Sequence, residues 1–83
     1  PNPFNRGTRI AYSLTAPGEV ELEVFTLTGQ RVACLVSGYA ARGTHRLNGD
    51  GPDDAGSELA SGVYLYQLRQ GERTELRRLL LRK

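Results

Sequence analysis

From Arg9 to Leu14 the chain alternates, with Ile10, Tyr12 and Leu14 on one side and Arg9, Ala11 and Ser13 on the other. Val20, Leu22 and Val24 alternate in the same way with Glu19, Glu21 and Glu23. Successive side chains leave an extended backbone on opposite sides, so a period of two marks a strand with one face on a core and one in solvent. Arg31 to Val36, Thr44 to Leu47, Val63 to Leu68 and Thr74 to Leu81 supply further strand candidates. Ala16-Pro17-Gly18, Ser37-Gly38, Arg42-Gly43, the Asn48 to Gly56 stretch, Ser61-Gly62 and Gln70-Gly71-Glu72 punctuate the chain, and the segments between them are too short for stable helices. Thr28-Gly29-Gln30 predicts a hairpin that returns Val20–Leu27 as Arg31–Val36. The pattern predicts one all-β domain over residues 1–83, an antiparallel β-sandwich of about seven strands, with no internal repeat.

Composition changes this picture little. With 39% hydrophobic and 24% charged residues the chain has enough apolar material to fold. At 83 residues it buries little more than ~60% of its unfolded surface, so it builds one modest core. The net charge of +2 is spread along the chain, which argues against nucleic acid or an anionic membrane as partner. No apolar run approaches the ~20 residues that span a bilayer as a helix, and the polar Pro1 to Arg6 stretch is no signal peptide. A start at Pro-Asn-Pro reads as a piece excised from a larger protein, and the last strand as one that closes the natural chain. Cys34, the single cysteine, allows no internal disulfide and, within the apolar run from Val32 to Val36, is expected as a buried, inert thiol. One cysteine and one histidine are too few for zinc.

The residues with chemical potential mostly have structural uses. Asn2-Pro3 with Phe4 fixes an extended lead into the first strand, where Phe4 is expected to plug one end of the sandwich. In Gly62-Val63-Tyr64-Leu65-Tyr66, Tyr64 and Tyr66 are expected to face inward with Leu68, and Tyr64 to return a hydroxyl hydrogen bond to backbone as in a tyrosine corner. Asp50, Asp53 and Asp54 share one loop and are candidate calcium ligands, although their spacing departs from an EF-hand and suits turn formation better. No other cofactor is implied. Glu19, Glu21 and Glu23 form a solvated face that also guards against edge-to-edge aggregation. His45 is a strand residue near a turn. With no Gly-x-Ser-x-Gly elbow and no paired base, the chain is expected to lack catalysis.

The order Pro1-Asn2-Pro3-Phe4-Asn5, Leu27-Thr28-Gly29-Gln30-Arg31-Val32, Asp50-Gly51 with Asp53-Asp54-Ala55-Gly56, Ala60-Ser61-Gly62-Val63-Tyr64-Leu65-Tyr66 and a basic-ended last strand resembles the type A C-terminal sorting domains of type IX (Por) secretion substrates. That family is in turn related to the Ig-like domain of the flagellar hook-capping protein, and the resemblance spans essentially the whole chain. It implies an immunoglobulin-like sandwich that directs an upstream cargo, such as a glycoside hydrolase or peptidase, via the periplasm and through outer-membrane secretion machinery to the cell surface. It further makes the terminal charges Arg78, Arg82 and Lys83 part of what that machinery reads, and the chain itself is expected to be a monomer. Two positions depart from the pattern: Gly49 stands where many relatives have an aromatic, and Arg78 where lysine is common.

Two other functions fit a sandwich of this size, a carbohydrate-binding accessory module and a structural domain of hook-cap type. Sugar binding ordinarily uses exposed aromatics. The chain has no tryptophan, and with Phe4, Tyr12, Tyr64 and Tyr66 assigned to the core only Phe25 and Tyr39 remain as a platform.

Overall fold

A computed structural model describes residues 9–48 and 59–81. Among these residues there are six strands: β1 (Arg9–Leu14), β2 (Gly18–Phe25), β3 (Arg31–Ala40), β4 (Gly43–Asn48), β5 (Gly62–Gln70) and β6 (Arg73–Leu81). Each segment that the alternation pattern marked is a strand; a seventh is not found among the described residues. All pairings are antiparallel, in a two-stranded sheet β1-β4 and a four-stranded sheet ordered β3-β2-β5-β6.

The core lies where the two sheets face one another. Ile10, Tyr12 and Leu14 of β1 meet Val20, Leu22 and Val24 of β2, joined by Ala33, Leu68, Leu79 and Leu81. The burial of β1 alternates as its sequence does, and Glu19, Glu21 and Glu23 face away from the core on β2. Leu59 is also buried, a position that no periodicity announces. No buried side-chain nitrogen or oxygen among the described residues lacks a partner, so the core carries no unmet desolvation cost.

Two expectations require correction. Cys34 is exposed rather than buried. The pairing of β3 with β2 steps from Leu22↔Val36 directly to Glu23↔Cys34, so Leu35 is a bulged residue. That extra residue reverses the alternation: Ala33, opposite Val24, takes the buried position, and Cys34 turns outward with its Sγ 3.6 Å from the Val36 carbonyl oxygen. The glutamates of β2, for their part, guard no edge, because β2 lies between β3 and β5. Two of them serve instead as cross-strand ion-pair partners: Glu21 with Arg69 of β5, and Glu23 with Arg31 of β3 at 2.8 Å.

Local chemistry fixes the hairpins. Between β2 and β3, the Thr26 amide donates to the Gln30 carbonyl at 2.8 Å and the Gly29 amide to the Thr26 carbonyl at 2.9 Å, with Gly29 at φ 96°. Between β5 and β6, Gln70 pairs with Arg73, leaving the two-residue loop Gly71-Glu72. Gly71 has φ 60° while no non-glycine residue has positive φ, the requirement of a type II′ turn with glycine first. Gly71→Ala is expected to lower stability by about 1 kcal/mol, since the space is open but the backbone conformation disfavours a Cβ. Urea unfolding checks this; an unchanged midpoint would contradict it.

Candidate functional site

Two surfaces bear on function: the corner that locks β5, and the outer face and margin of β6. At the corner, the Tyr64 hydroxyl donates to the Ala60 carbonyl oxygen at 2.7 Å, the expected backbone return. Tyr64 and Tyr66 are half-buried against the core and Leu68 is fully buried, so the inward side of β5 is as the sequence indicated. Gly62 opens β5 opposite Leu81. The corner ties the segment leading into β5 to the strand that holds β6.

On β6, Leu79 and Leu81 point into the core, anchoring the strand's end. Strand alternation then sends Thr74, Leu76, Arg78 and Leu80 to the outer face, opposite Arg69, Gln67, Leu65 and Val63 of β5. Arg73, Glu75 and Arg77 lie on the inner side near its start. There the Arg73 guanidinium donates to Glu75 at 2.8 Å and Arg77 stands 3.8 Å from the same carboxylate. The Arg73 hydrogen bond chiefly, with the field of Arg73 and Arg77, holds the Glu75 carboxyl below the usual carboxylate range, against partial desolvation. Arg78 is exposed and has no ion-pair partner among the described residues. Of the three expected recognition charges, Arg78 therefore projects outward, while Arg82 and Lys83 lie outside the described residues, as do Phe4 and the calcium candidates Asp50, Asp53 and Asp54. No group of three metal-ligating side chains is gathered among the described residues.

Other candidate groups have local partners. His45 stacks on Tyr12 with ring centroids 5.2 Å apart, and its Nε2 lies 2.8 Å from the Ala41 carbonyl oxygen. Burial raises the Tyr12 hydroxyl above the ordinary phenol range. Phe25 and Tyr39, the two aromatics available as a sugar platform, do not form one. Both are on the outer face, but Tyr39 pairs with Glu19 and Phe25 with Arg31, six residues apart along β2, or roughly 20 Å at strand rise.

The sequence profile of the secretion system C-terminal sorting domain matches residues 1–82, nearly the full chain. The chain belongs to that family. Sorting domains of this family are type IX secretion signals, which mark proteins for export to the cell surface or the medium. Among solved structures, FlgD from P. Aeruginosa is similar with a TM-score of 0.66 and 23% identity. The match covers 89% of the sorting domain and 60% of the FlgD chain, and establishes a shared fold. No curated protein matches the sorting domain. No helix among its described residues is long and apolar enough to cross a membrane.

Proposed function

We propose that the domain acts as a monomer that delivers a polypeptide fused ahead of it, via the periplasm, to the outer-membrane translocation machinery, and that Arg78, Arg82 and Lys83 are the charges this machinery reads. The exposure of Arg78 on the outer face of β6, with no carboxylate compensating it among the described residues, carries the reading. An arginine held on a rigid strand and left in solvent costs nothing to desolvate in the free protein, and keeps its full fork of donors for a carboxylate-bearing receptor. Leu79 and Leu81 fix the strand from the other side, so the charge is presented at a constant position. The expected absence of a cofactor belongs to the same reading, since none of these roles needs one.

Reversal of Arg78, Arg82 and Lys83 to glutamate tests the assignment. Surface substitutions of this kind shift stability by no more than about 0.5 kcal/mol each, whereas they invert complementarity with a receptor. In a host with type IX secretion, a reporter fused to the reversed domain is expected to accumulate in the periplasm while thermal unfolding of the domain changes little. Normal export of that reporter would show that these charges are not what the machinery reads.

A further inference from the structure

The geometry points to the β6 edge between Arg73 and Arg78, with the outer face beside it, as a docking site for an extended acidic strand of another polypeptide. This deepens the sorting role by naming a surface and the chemistry of its partner. β6 is the last strand of its sheet among the described residues, which leaves it positioned to accept one more strand. The outer face next to it carries exposed apolar side chains on either side of Arg78: Leu76 is 59% exposed, Leu80 52% and Val63 43%, with Leu65 and Phe25 adjoining in register. Exposed large apolar side chains gathered in this way mark interaction surfaces more often than isolated ones do.

Charge decides the occupant. The segment carries Arg73, Arg77 and Arg78 against Glu75, which already has both Arg73 and Arg77 beside it. A second copy laid antiparallel about Arg77 or about Arg78 would set that arginine against its own counterpart, and like charges opposite one another destabilise a strand pair. An acidic strand reverses that sign. Its outward side would place an apolar residue beside Leu76 and a carboxylate beside Arg78, and its inward side a carboxylate beside Arg77. Main-chain pairing supplies the attachment and these side chains supply the selection.

The test uses the 83-residue chain and a labelled, end-capped peptide Thr-Glu-Glu-Leu-Thr-Thr-Glu, written to run antiparallel from position 79 to position 73. Binding is followed by fluorescence anisotropy, and its location by amide hydrogen exchange. The expected result is saturable binding that weakens as salt rises, new protection within residues 73–78, and at least tenfold weaker binding of the same peptide with lysine in place of each glutamate. Leu76→Glu in the chain is expected to weaken the acidic peptide by a similar factor. Equal binding of both peptides, absence of saturable binding, protection on the β3 edge instead, or self-association through β6 in sedimentation would each overturn the proposal. The titration is independent of export: peptide binding by a domain that exports nothing would sink the sorting role and keep the edge. Normal export by Leu76→Glu, together with failed peptide binding, would sink the edge and keep the sorting role.

Discussion

Leu22→Ala is expected to destabilise the domain by about 3 to 5 kcal/mol, the upper range for removing a buried leucine side chain. Leu22 has no exposed surface and sits in β2, between β3 and β5, under the β1 side chains that close the core. Neighbours on three sides are held by strand pairing and cannot collapse into the space, so a cavity term adds to the lost transfer free energy. A domain of 83 residues has a total stability of about 4 to 12 kcal/mol, so this one change removes a large fraction of it. Urea unfolding reads the difference, with Leu76→Ala on the exposed outer face as the comparison, expected within about 0.5 kcal/mol of the parent. A loss below about 1 kcal/mol for Leu22→Ala would mean that the two sheets do not pack as described.

The tyrosine corner provides the second large effect. Tyr64→Ala is expected to cost about 2 to 3 kcal/mol, less than a fully buried aromatic would, because the ring is half-buried. Tyr64→Phe separates the hydroxyl from the ring. It removes the 2.7 Å bond to Ala60 and should cost about 1 kcal/mol, since Ala60 is exposed and water can replace the donor. If Phe were as damaging as Ala, the hydroxyl rather than the ring would dominate the corner; if both were neutral, the corner would have no part in stability.

Much of this architecture could be read from short-range pattern. Alternation in Arg9–Leu14 and Glu19–Val24 identifies both the strands and their buried sides, because a strand's period is local and one face must meet the core. Gly29 and Gly71 mark hairpins through backbone conformations that few other residues adopt. Tyr64 announces its corner through its place two residues after Gly62 and four after the carbonyl it reaches. What stayed hidden depends on partners distant in sequence. The bulge at Leu35 arises from pairing with β2, and the apolar run from Val32 to Val36 contains nothing that says which residue is the extra one. Likewise the glutamates of β2 look the same whether that strand is central or marginal. Their roles follow from sheet order, although the outward-facing Arg31 and Arg69 were a readable hint of ion pairing. Leu59 is a lone apolar residue with no period to mark it. At the candidate site, the alternation of β6 gives the outward row of Leu76, Arg78 and Leu80, but only the sheet order reveals that this row lies along a margin.

The central claim is that this domain is sufficient to send an attached protein to the cell surface. A reporter enzyme fused ahead of Pro1, expressed in a host with type IX secretion, tests it most directly, with accessibility to added protease measured on intact cells. The account predicts that the reporter becomes surface-exposed with the natural domain, and remains in the periplasm when the domain is omitted or when the host's translocon is deleted. Retention of the reporter in the periplasm of the competent host, with the attached domain folded, would contradict it.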